Sequence, residues 1–245
     1  MAKIFRQPNR FPHRPYLLLI GAPRSGTTLL ATMIGRHTDV GMLNEDVSGR
    51  GFGKILGKQV RGTKLCVPNQ IRLSHRSFFG RRFLKKMGLV AEAPKSKYCI
   101  RDYLELPNLK ILAIIRDGED AVASMMARGK NRTRKAARRW REAIETIYEL
   151  KHQYGERVLI VTFDEVLLRP IAVLQKVCDF LGIGFQEQML DGHRHNPYYP
   201  EAELKVEKAH RKRQEDGGMR LAELLAPAHE KYQELLQRAA QELNG

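Results

Sequence analysis

Leu17-Leu18-Leu19-Ile20-Gly21-Ala22-Pro23-Arg24-Ser25-Gly26-Thr27-Thr28-Leu29-Leu30 reads as a short apolar run, a glycine-bounded turn, and two hydroxyls opening a second apolar segment. That pattern is a buried strand, a tight loop and the first turn of a helix. A helix start leaves its first N–H groups unpaired and carries partial positive charge, which suits an anion. Gly21 and Gly26 let the backbone turn sharply and approach that anion. Thr27 and Thr28 add hydroxyl donors, and Arg24 adds a planar cation matched to phosphate. The stretch is a phosphate cradle.

The glycine spacing, Gly21 to Gly26, fits the nucleotide-triphosphatase loop G-x-x-x-x-G-K-[ST], but Thr27 stands where that loop has its lysine. Ordinary ATP or GTP hydrolysis is therefore poorly supported.

Working outward, strands and helices alternate. Tyr16–Ile20 is the first strand and Thr27 to about Arg36 the first helix. His37 to Val40 ends that helix and begins a connection holding Asn44, Glu45 and Asp46. Phe52 to Gln59 is a short glycine-interrupted segment, and Val60 to Pro68 a second strand leaving into a loop. Ile71 to Leu89 is very basic and partly helical. Leu109–Ile115 is a clear buried strand, Glu119–Arg128 a helix, and Thr133–Tyr154 a long helix. Its apolar stripe is Ala137, Trp140, Ile144, Ile147 and Tyr148. Val158–Phe163 is another strand. Pro170 opens a helix over Ile171–Leu181 that Gly182 closes. His193 to Pro200 reads as a mobile loop, and Met219 to Leu243 as an amphipathic helix interrupted near Pro227. The fold class is α/β, a three-layer doubly wound parallel sheet with a P-loop-like phosphate cradle, flanked by helices. Residues 1–245 read as a single domain, with 1–15 a basic lead-in and 219–245 the C-terminal helix.

Composition agrees. The chain has 245 residues, 42% apolar, enough for a full core. Its net charge of +16 favours anionic ligands. Cys66, Cys99 and Cys178 are scattered and without metal spacing, which argues against a disulfide framework or a zinc site and for a reducing interior. No apolar run approaches the roughly 20 residues of a membrane span, and Leu17–Ile20 is shorter than a signal-peptide core of about 7–15 residues. The expectation is a soluble, cytoplasmic protein without a metal.

A second motif follows the 109–115 strand: Arg116-Asp117-Gly118, then Ser124 and Arg128. An arginine leaving a strand end stands at the edge where α/β proteins bind ligands. Ser124 and Arg128, four apart, share a helix face. Arg116, Ser124 and Arg128 can thus close on a second phosphate; a solvated basic helix is the competing reading.

The two elements in this order, strand–PRSGTT–helix and strand–RDG…S…R–helix, resemble the 5′- and 3′-phosphate sites of sulfotransferases that use 3′-phosphoadenosine-5′-phosphosulfate. Among these the chain is most similar to tyrosylprotein sulfotransferases and their bacterial relatives. The resemblance covers Leu17 to Glu45, Lys64, Ile111 to Arg128 and Val158 to Gly182, and fades after His193. It implies that Arg24, Ser25, Gly26, Thr27 and Thr28 hold the 5′-phosphosulfate, and that Arg116, Ser124 and Arg128 grip the 3′-phosphate. It implies Glu45 as general base and Lys64 as a cation at the leaving phosphate. Phe163 stands where relatives place an aromatic near the adenine, here without a hydroxyl.

The implied reaction moves a sulfuryl group in line to a hydroxyl or amine acceptor and yields 3′,5′-adenosine diphosphate. By the logic of phosphoryl transfer, positioning and electrostatics carry it, with Lys64 and Arg24 meeting the developing charge without a metal. Asp46, His37, His75 and His195 compete with Glu45 as base. The alternatives are a P-loop kinase and a non-catalytic nucleotide- or nucleic-acid-binding protein. The basic runs Arg72–Lys86 and Arg128–Arg141 invite nucleic acid, but no recognisable binding motif or interleaved aromatics accompany them. They equally suit a polyanionic donor or an acidic acceptor; a sugar, peptide or small alcohol stays open. Lys205 or Lys208 is a candidate lid over the donor.

Overall fold

The computed structural model describes residues 14–47, 51–74, 98–128, 132–195, 215–216 and 219–244. Most of the basic lead-in and of the 71–89 segment lies outside the described residues, as do His75, residues 196–200, Lys205 and Lys208.

Alternation of strand and helix yields the expected layers. Strands β1 (Tyr16–Gly21), β2 (Val40–Asn44), β3 (Val60–Cys66), β4 (Leu109–Ile115) and β5 (Val158–Thr162) form one parallel sheet in the order β2-β3-β1-β4-β5. Helices α1 (Thr27–Ile34), α2 (Ile100–Tyr103), α3 (Gly118–Ala127), α4 (Thr133–Tyr154), α5 (Phe163–Leu168), α6 (Pro170–Leu181), α7 (Leu221–Leu225) and α8 (His229–Asn244) follow in chain order. A short antiparallel pair, Glu215–Asp216 with Met219–Arg220, precedes α7.

The central strand is buried on both faces, which is why it reads as a continuous apolar run rather than an alternating one. Leu17 and Leu19 pack into a core with Leu30, Ile34, Leu174 and Val177 of α1 and α6. Leu18 and Ile20 pack on the opposite face with Trp140, Ile144 and Ile147 of α4 and Leu235 of α8.

Several elements differ from the sequence reading. Val40–Asn44, read as a connection, is the edge strand β2; only Val40 in it is fully buried, so its apolar signal is weak. The first helix ends at Ile34 rather than near Arg36. His193, Arg194 and His195, read as the start of a loop, form the last turn of a 3-10 segment over Glu187–His195. Tyr148 lies only partly buried at the margin of the α4 stripe. The last helix is two pieces joined by a 3-10 turn at Ala226–Ala228, where Pro227 was expected to interrupt it, and it begins at Leu221 rather than Met219.

The outer edge at β5 is covered by α8. Glu242 Oε2 accepts the outward N–H of Ile160 at 3.0 Å, and Glu242 Oε1 pairs with Lys151. Lys151 Nζ also donates to the carbonyl of Val158 at 2.7 Å. This satisfies an edge that would otherwise offer unpaired groups. Glu242→Ala is expected to destabilise the protein by about 1–3 kcal/mol, since it strands a partly buried lysine and a strand N–H. Calorimetric melting would read this as a fall in Tm of about 2–4 °C per kcal/mol.

Candidate nucleotide and catalytic site

Every element of the proposed site ends at the carboxyl edge of the sheet around β1. The cradle joins β1 to α1. Its N-cap, Gly26, is left-handed at φ 88°, and a Cβ there would stand 2.4 Å from the Phe163 ring. Only glycine fits this position without displacing the ring. Ser25 is fully buried, and its Oγ has no hydrogen-bond partner among the described residues. An orphaned buried hydroxyl beside free helix N–H groups is the donor set an anion would complete.

Arg24 sits at φ 71°, a left-handed conformation that costs a non-glycine residue about 1–2 kcal/mol. Its side chain reaches α3, where Nε donates to Ser124 Oγ at 3.0 Å. In return, Arg116 Nη1 donates to the carbonyl of Arg24 at 3.0 Å across 92 residues of sequence. The two sequence motifs are therefore bonded to each other. Arg116 is also stacked on Phe163, 4.3 Å from the ring centroid.

The turn carrying Arg116 is locked from both sides. Asp117 caps α3 by accepting the N–H of Asp120 at 3.0 Å. Trp140 Nε1 donates to the carbonyl of Arg116 at 2.9 Å. Trp140 reads from sequence only as core; its indole N–H gave no pattern signal. Arg128 stands exposed at the C-cap of α3, one turn beyond Ser124.

On the other side of β1, Lys64 projects from β3 and its side chain is 1% exposed. Its Nζ donates to Glu45 Oε1 at 2.8 Å, while the Glu45 side chain is 36% exposed. Glu45 follows β2 at φ 60°, and its N–H donates to the carbonyl of Lys64 at 3.1 Å. Two left-handed non-glycine residues, Arg24 and Glu45, thus flank one site, and strain of that kind clusters at functional positions.

Two of the rival bases, Asp46 and His37, are committed to backbone hydrogen bonds. Asp46 Oδ2 accepts the N–H of Gly51 at 2.7 Å and anchors the 3-10 turn over Gly51–Lys54. His37 is buried, its Nδ1 accepting the N–H of Asp39 at 3.0 Å and its Nε2 donating to the carbonyl of Gly184 at 2.6 Å. His195 lies exposed at the end of the 3-10 segment. Cys66 sulfur lies 3.6 Å from Thr27 Oγ1 at the floor of the cradle. Burial pushes its thiol up, against the opposing pull of Lys64 and the Thr27 hydroxyl, so it stays a neutral thiol.

Phe163, read as the end of the last strand, is instead the first residue of α5. Thr162 caps that helix through its own Oγ1 and a reciprocal bond from Glu165, a T-x-x-E capping box visible in the sequence.

A parallel α/β sheet thus brings a glycine-bounded strand–helix turn, the Arg116 turn and a lysine–carboxylate pair to one edge, the phosphate-binding class of α/β fold. The sulfotransferase domain model matches residues 14–219, and the chain belongs to that family. It is 26% identical over 204 residues to a protein-tyrosine sulfotransferase of Drosophila melanogaster, covering 72% of this chain and 40% of that protein. It is 26% identical over 197 residues to protein-tyrosine sulfotransferase 2 of Gallus gallus, covering 72% of this chain and 53% of that one. The chain thus spans about half the length of the curated relatives it matches. Among solved structures, a sulfotransferase from Alicyclobacillus acidocaldarius superposes with a TM-score of 0.51 at 16% identity, covering 95% of this chain and 99% of that one. The sulfotransferase domain from the curacin biosynthetic pathway gives a TM-score of 0.51 at 15% identity, covering 72% and 76%. Both share its fold.

Proposed function

We propose that this protein transfers a sulfuryl group from 3′-phosphoadenosine-5′-phosphosulfate to a hydroxyl of its acceptor. One observation carries the reading: the two phosphate motifs, far apart in sequence, are joined by the Arg116–Arg24 and Arg24–Ser124 hydrogen bonds. A nucleotide with phosphates at both its 5′ and 3′ ends matches such a double grip.

In this reading Ser25, Gly26, Thr27 and Thr28 hold the 5′ end through the helix N-terminus and their hydroxyls. Arg116 and Ser124, with Arg128 one turn on, take the 3′-phosphate. Glu45 accepts the proton of the acceptor hydroxyl as its oxygen bonds to sulfur. The bond between sulfur and the leaving phosphate oxygen breaks, its electron pair stays on that oxygen, and Lys64 and Arg24 meet the charge. The tyrosyl hydroxyl, which the relatives' names give as their acceptor, is the acceptor class we assign for first testing.

Titration calorimetry with 3′,5′-adenosine diphosphate and with ATP, each with and without magnesium, tests the donor. Binding of the bisphosphate without metal is expected, weakened about 10–100-fold by Arg116→Ala, the loss of a charge-assisted phosphate contact. Binding of ATP alone, and only with magnesium, would replace this reading with a kinase.

A further inference from the structure

Phe163 occupies the joint between the two phosphate grips. Its ring fills the space where a side chain on Gly26 would stand, with Cδ2 and Cε2 at 2.4 and 2.8 Å from that Cβ position. The same ring carries the Arg116 guanidinium at 4.3 Å from its centroid. The capping box of α5 fixes the backbone at Phe163 where the chain leaves β5. One aromatic therefore braces the cradle and the arginine together.

We propose that Phe163 is a positioning residue that pre-orders Arg116, and so sets the selectivity of this site for a nucleotide phosphorylated at the 3′ position over the corresponding 5′-monophosphate. This inference rests on the donor assignment above. An arginine leaving a turn loses rotamer freedom when it grips a phosphate. Stacking on the ring and the bond to the Arg24 carbonyl take up part of that loss before ligand arrives. The ring's contact with Gly26 in the 5′ cradle needs only apolar bulk, whereas its contact with Arg116 needs the π face. Losing the ring face should therefore weaken recognition of the 3′-phosphate selectively.

The experiment is calorimetry with 3′,5′-adenosine diphosphate and adenosine 5′-monophosphate on the full chain and on Phe163→Leu, Phe163→Met and Phe163→Tyr. Methionine keeps apolar bulk against Gly26 without a π face, which guards against a leucine variant that fails to fold. Leucine and methionine are each expected to lower the bisphosphate-to-monophosphate affinity ratio about five- to tenfold, and tyrosine to preserve it. In an Arg116→Ala background, Phe163→Leu should leave the ratio unchanged, because the group it positions is gone. An unchanged ratio in the methionine variant, or an equal loss for both nucleotides, would overturn the inference while leaving the donor assignment intact. A parent protein without preference for the bisphosphate would instead overturn that assignment.

Discussion

Glu45→Gln is expected to lower kcat by about 10²–10⁴-fold, the usual contribution of a general base, while affinity for 3′,5′-adenosine diphosphate stays within about threefold. The substitution suits the geometry. Glutamine keeps the shape of Glu45 and can still accept the hydrogen bond from Lys64 Nζ, made here at 2.8 Å. What it loses is the ability to take a proton. The Glu45 side chain is 36% exposed, so an acceptor can reach it, whereas Asp46 and His37 are tied into backbone hydrogen bonds. Saturating donor and a tyrosyl peptide provide the assay, with thermal melting alongside to separate lost chemistry from lost fold. Unchanged turnover would move the base to another residue.

Lys64→Met separates transition-state stabilisation from folding. Its expected cost in kcat is about 10²–10³-fold, comparable to removing one preorganised donor from developing negative charge. Stability should be nearly unchanged, because an unbranched apolar chain replaces a cation that is 1% exposed, and burying that charge carries a desolvation penalty. Glu45, left without its partner, is exposed enough to be solvated. Single-turnover rates compared with calorimetric affinity for the bisphosphate decide the role. A loss confined to affinity would make Lys64 a binding group alone.

The cradle was legible because its chemistry is local. Gly21, Gly26, Thr27 and Thr28 lie on eight consecutive residues, and the need for a left-handed N-cap at Gly26 follows from the turn itself. The long helix over Thr133–Tyr154 was legible because its apolar stripe repeats at helical spacing. β2 was not, since an edge strand with one fully buried residue leaves little alternation to detect. Phe163 was misread as strand because its apolar character continues that of Val158–Val161, although Thr162 and Glu165 already spelled a helix start.

By itself, the sequence determined the layer architecture, the cradle and the residue types able to hold two phosphates, because periodicity, glycine placement and charge act over short spans. Only the tertiary structure decided how they meet. The parallel order β2-β3-β1-β4-β5 carries Lys64, Arg24, Arg116 and Phe163 to one edge from four different strands. Long-range hydrogen bonds then set Arg24 against Ser124, Arg116 against Arg24, and Lys64 against Glu45. Those pairings depend on strand register and burial, quantities that no local stretch of residues contains.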